Sequence, residues 1–68
     1  MKHWNLWVAR KERNESQSDL GKLLGISAGR YMLKEQKKAS FTLDEAVKLA
    51  RHFDMSVDEL FSEDVKVH

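Results

Sequence analysis

The chain contains no cysteine and no proline. Without cysteine it can build neither a disulfide framework nor a thiolate zinc site, the usual supports of very small folds. That lack also fits a reducing cytoplasm. Without proline, no helix need be kinked or stopped from within. The apolar runs are short and broken by charge, so no segment could span a bilayer. The N-terminal Met-Lys-His-Trp lacks the apolar core and small-residue cleavage site of a signal peptide. His3, His52 and His68 have no ligand spacing, so neither a metal nor another cofactor is expected. No Ser/His/Asp set, paired carboxylates or Gly-rich phosphate loop stands out. The expectation is a chain with no enzymatic activity, no small-molecule substrate and no membrane partner.

What remains is one small domain. A chain of 68 residues buries only about 60% of its unfolded surface, so its stability is marginal. The net charge of +1 hides a lopsided distribution. Residues 1–38 hold nine Lys/Arg against four Asp/Glu, whereas residues 39–68 hold three against seven. The chain is a dipole along its length, an asymmetry that suggests one half facing an anion.

Helix signals are regular. Thr42 and Ser56 are each followed three residues later by a glutamate (Glu45 and Glu59), the spacing of a capping box, and Ser16 with the shorter Asp19 is a weaker version of it. Ser27 has Arg30 at the reciprocal place and reads as a simple N-cap. Leu43, Ala46, Val47 and Ala50 recur at helical spacing, widened by Leu49 and Phe53. Leu20, Leu23 and Leu24 form a second stripe, and Val57, Leu60 and Phe61 a third. The pattern predicts helices near 3–13, 17–24, 28–36, 43–53 and 57–62. No period-two alternation argues for strands. The expected architecture is an all-α, compact five-helix domain over 1–62 with a flexible tail at 63–68.

One segment carries more information. In Gln17–Lys34, "QSDLGKLLGISAGRYMLK", apolar residues fall at Leu20, Leu24, Ile26 and Tyr31. Gly21 is small enough to let a following helix approach closely. Gly25 can adopt the positive φ that ends the first helix before a steep turn. Ile26 plugs the corner. This is the spacing of a helix-turn-helix.

Around that motif stand Ala9-Arg10, "SQSDLGKLLGIS" at 16–27, Glu35, "FTLDEAVKLA" at 41–50 and "MSVDELF" at 55–61. In this order and spacing the chain resembles the Cro/repressor-type helix-turn-helix family, the lambda-repressor-like DNA-binding domains. The resemblance runs from about Leu6 to Phe61. "YMLKE" followed by "FTLDEA" looks like a branch found in regulators of phages and mobile elements.

The resemblance implies that Arg10 pairs with Glu35, tying helix 1 to the end of helix 3. It implies that Gln17 grips a phosphate and braces helix 3. Ser27 opens the recognition helix 28–36, and Ala28, Gly29, Met32 and Leu33 match base-facing positions. The family is more polar there. The shelf in this chain suits thymine methyls and close backbone approach rather than many hydrogen bonds to bases. Arg30 could take guanine or hold a phosphate. Lys34, Lys37 and Lys38 suit phosphates, although the position of Lys34 is normally apolar. Glu15 also departs from the family, replacing an apolar residue with a charge that would loosen local packing.

The implied function is that of a transcriptional regulator binding double-stranded DNA at an operator. Repressor, activator and mobile-element accessory factor are all open roles, with a repressor the leading expectation. A weak or DNA-assisted homodimer on a near-palindromic site is expected. The rival reading is a protein-interaction module or antitoxin. Trp4, Trp7 and Val8 share one face of helix 1, with Leu6 and Ala9 opposite. That face either covers Phe61 and the Val65/Val67 tail or forms a partner surface.

Overall fold

Five helices follow one another: α1 (Trp4–Glu12), α2 (Gln17–Leu24), α3 (Ala28–Glu35), α4 (Leu43–His52) and α5 (Val57–Phe61). The computed structural model describes residues 2–62, and among these there is no strand. The expected tail at 63–68, with Val65 and Val67, lies outside the described residues. Each helix end falls within one residue of its expected place. Among the described residues, no helix is long and apolar enough to cross a membrane.

The caps explain this agreement. All three capping boxes close in both directions, at Ser16/Asp19, Thr42/Glu45 and Ser56/Glu59. Even the short Asp19 reaches back, its carboxylate accepting from Ser16 N–H at 2.9 Å. That bond from the Ser16 backbone is the main reason its carboxyl titrates below the ordinary range. Ser27 caps α3 singly, its Oγ accepting from Arg30 N–H at 3.1 Å. α1 has no side-chain cap. Its start is fixed instead from across the fold, where His3 N–H donates to Glu35 O at 2.7 Å.

The helix ends follow one pattern. After α2, Gly25 sits at φ 74°, with Gly25 N–H on Lys22 O and Ile26 N–H on Gly21 O. These paired bonds satisfy carbonyls that a helix end would otherwise leave unpaired. The same arrangement recurs with non-glycine residues at positive φ: Asn14 after α1, Lys37 after α3 and Asp54 after α4. Asn and Asp tolerate this conformation; lysine adopts it at a cost.

The core gathers Leu6 and Ala9 of α1, Leu20 and Leu24 of α2, Tyr31 of α3, Leu49 and Ala50 of α4, Phe53 just after it, and Leu60 of α5. Each fully buried leucine contributes about 2 kcal/mol through removal of apolar surface from water. Ile26, Phe41, Met55, Val57 and Phe61 pack around this centre. Two expected stripe residues point elsewhere: Leu43 is 75% and Leu23 37% exposed. Leu43 is the first residue of α4, ahead of the turn that meets the core, so its stripe position leaves it largely in solvent.

Trp4 and Trp7 pack against each other, and the Val65/Val67 tail that they were expected to cover lies outside the described residues. Their rings stack on each other at 5.1 Å and 11°. Lys2 Nζ lies over both, and Lys11 Nζ over Trp7. Phe61 finds its ring contacts on His3 and Phe41.

Candidate nucleic-acid interface

α2 and α3 make the most extensive interhelical contact in the fold. A Cβ added to Gly21 would lie 2.8 Å from Ile26 O and 3.1 Å from Ser27 O. The turn therefore presses its backbone directly onto α2, and this closeness sets the crossing of the two helices. Three residues of α3 face inward: Tyr31, Lys34 and Glu35 are buried. Ala28, Gly29, Arg30, Met32 and Leu33 are exposed. Successive helical residues turn by 100°, so burial at 31, 34 and 35 turns 29, 30, 32 and 33 outward. Ala28 lies on the side of Glu35 by angle but is exposed because it opens the helix, and it extends the outward shelf of 29, 32 and 33. Gly29 has nothing within 4 Å of where a Cβ would be.

Beneath this shelf lies a buried polar network. Arg10 Nε donates to Glu35 Oε2 at 2.9 Å, and a second guanidinium nitrogen donates to Oε1 at 3.1 Å. Tyr31 O–H donates to Oε2 at 2.9 Å, and Gln17 Nε2 to Oε1 at 3.1 Å. The remaining Arg10 nitrogen reaches Glu15 O at 3.0 Å. Burial opposes ionisation of Glu35, but the bonds from Arg10, Gln17 and Tyr31 together outweigh it, and the carboxyl's pKa lies below its ordinary value. For Arg10, burial likewise opposes the charge, and the bonding and charge of Glu35 overcome it, leaving the pKa raised. Burial first, then the Glu35 charge, push the Tyr31 phenol far above its usual range. The network is thus a charged pair with neutral donors, fixing α1, the start of α2 and the end of α3 relative to one another.

The family profile described as the Cro/C1-type HTH DNA-binding domain matches residues 5–63. The chain belongs to this family. A comparison with curated proteins finds no match. Membership makes this Cro/C1-type domain a DNA-binding one, and α2–turn–α3 is its helix-turn-helix.

The residues expected from the sequence to meet DNA, Lys34 apart, fall into three groups in the Cro/C1-type domain. Ser27, Ala28, Gly29, Arg30, Met32 and Leu33 lie along the exposed side of α3 and its cap. Lys37 and Lys38 are exposed in the loop after it. Gln17 is half-buried at the first position of α2, with one amide N–H committed to Glu35. It lines a shallow recess together with Asn14 and Ser16 at the start of that helix.

Lys34, expected near a phosphate, is placed differently from the other lysines. Its side chain is buried and its ammonium lies 2.7 Å from Glu45 Oε1. The position faces the interior, so the stem packs inward and the charge finds an acid on α4 rather than solvent. Burial opposes ionisation of Glu45, but the Lys34 bond and the Thr42 N–H outweigh it and lower its pKa. Glu15 corrects the expectation of loosened packing. Its carboxylate meets His52 Nε2 at 2.7 and 2.9 Å, so it ties the α1–α2 loop to α4 instead of loosening it.

Sequence reasoning missed both acids' partners. The spacing of Glu45 announced only its role in the Thr42 capping box. Nothing local indicated that the same oxygen would accept from a residue eleven positions earlier.

Proposed function

We propose that this domain is a sequence-specific regulator of transcription, a repressor of phage or mobile-element type acting in the cytoplasm. α3 enters the major groove with Ala28, Gly29, Met32 and Leu33 toward the bases. The observation that carries this reading is the exposure of that whole shelf on the helix following the turn. Its chemistry favours thymine methyls, which apolar side chains contact in the major groove. Arg30 supplies the one strong hydrogen-bonding group of the first turn and takes a phosphate or a guanine. Gln17, Ser27, Lys37 and Lys38 hold phosphates on either side. Two copies bind half-sites about one helical turn apart, as a weak dimer completed on the DNA.

Selection from random duplex DNA tests this directly. The expected product is a near-palindromic, thymine-rich site whose affinity falls steeply with salt as counterions are released. Recovery of no common sequence, or equal binding at low and high salt, would overturn it.

A second reading, a protein-interaction module or antitoxin, is favoured by one feature: Trp4 is 46% exposed on a stacked indole pair. It predicts that partner binding depends on Trp4 and Trp7 and survives Arg30→Ala with Lys38→Ala. The DNA-binding reading predicts that this double substitution abolishes DNA retention.

A further inference from the structure

We propose that Lys34 is a positioning residue: with Glu45 it forms a latch that holds the loop after α3 in the shape in which it meets the DNA backbone. The inference rests on the DNA-binding reading above, and concerns an ion pair that lies behind the interface rather than in it.

The loop from Gln36 to Phe41 joins α3 to α4. At its start, Lys37 N–H bonds to Lys34 O at 3.1 Å, and Leu33 O accepts from both Lys38 N–H at 2.8 Å and Ala39 N–H at 3.2 Å. These bonds hold Lys37 at φ 64°, a conformation that side-chain-bearing residues adopt only when their surroundings impose it. At its far end, Glu45 Oε1 accepts from Thr42 N–H at 2.9 Å, and Thr42 Oγ1 accepts from Glu45 N–H at 3.1 Å. Lys34 joins the two ends. Its backbone anchors the start of the loop, while its ammonium reaches that same Glu45 oxygen at 2.7 Å.

Phe41 closes the span between them. Its ring lies 6.1 Å from Tyr31 and 6.0 Å from the Lys34 ammonium. A cation replacing an apolar side chain at a core-facing position is a cost unless paired. Here the pairing fastens one end of the groove-facing helix to the cap of the next. The segment between these fixed points carries Lys38 and, beside Leu33, Ala39. A shallow recess of about 260 Å³ lies here, lined by Arg30, Leu33, Lys34 and Ala39.

Glu45→Gln separates this role from simple electrostatics. Glutamine serves equally at this place in a capping box, so α4 keeps its cap while the ion pair is removed. The substitution also removes a negative charge. If Lys34 and Glu45 matter to DNA only through charge, mixed-sequence duplex DNA at low salt should bind more tightly. If the latch positions the loop, binding should weaken, and the slope of log affinity against log salt should shrink by about 0.9 for each phosphate that the loosened loop no longer reaches.

Amide hydrogen exchange on the protein without DNA supplies the second measurement. The latch requires faster exchange at Lys38 and Ala39 in the variant, with Leu24 and Leu49 unchanged. Tighter DNA binding, or unchanged exchange at Lys38 and Ala39, overturns the proposal. If the unsubstituted protein retains no DNA while the exchange difference appears, the latch stands as a loop-holding device. The DNA-binding reading then fails by itself.

Discussion

Arg10→Met tests the buried network beneath the recognition helix. The substitution keeps length and apolar stem but removes the cation from Glu35, which is 1% exposed. Breaking a buried pair by removing one partner costs about 3–5 kcal/mol, because the remaining charge stays buried. A domain of this size has a total stability of roughly 3–10 kcal/mol at typical values per residue. The variant should therefore lose about 12 °C or more in Tm, at several degrees per kcal/mol. Circular dichroism during heating and urea titration at neutral pH would measure this.

The same variant carries a second signature in its pH dependence. In the unsubstituted chain the folded pKa of Glu35 lies below its reference value of 4.5. Its ionised form therefore stabilises the fold above that value, and this contribution is lost as pH falls through the depressed folded pKa. Without Arg10, burial dominates and the folded pKa rises above the reference. The variant then gains stability from protonation as pH falls, so the gap between the two proteins narrows in acid. A gap below about 1 kcal/mol at neutral pH, or one that stays constant on acidification, would refute the reasoning.

Three further outcomes follow from the geometry. Gly29→Ala meets open space and should raise stability by a few tenths to about 1 kcal/mol, while weakening DNA binding where the backbone must approach closely; thermal melts and DNA titration check the two signs. Gly25→Ala places a Cβ at φ 74° and should cost about 1–2 kcal/mol with no change in the α3 surface, measured by urea unfolding. Ser56→Ala removes the bond to Glu59 N–H at 2.9 Å and should cost about 1 kcal/mol, read from the urea midpoint.

Much of this protein was legible because its signals are local. Ser16, Thr42 and Ser56 each act on an N–H three residues away, so a linear reading finds them. Gly25 announces its turn because no other residue takes that conformation so readily. The burial of Leu20, Leu24 and Tyr31 follows from helical spacing. Asn14, Lys37 and Asp54 end helices in the same way as Gly25; asparagine and aspartate hint at it weakly, and lysine not at all. Leu43 and Leu23 fit their stripes and miss the core, because periodicity names a face but not how far along the helix the core extends.

The sequence by itself determined the helices, their caps and turns, and the order of parts that marks a helix-turn-helix. Only the tertiary structure decided where charges far apart in the chain find partners. Lys34 turns to Glu45 and Glu15 to His52, while Arg10, Gln17 and Tyr31 converge on one carboxylate. The physical reason is range. A cap or turn depends on neighbours within a few residues, whereas a buried charge must be satisfied by whatever the packed helices bring within about 3 Å.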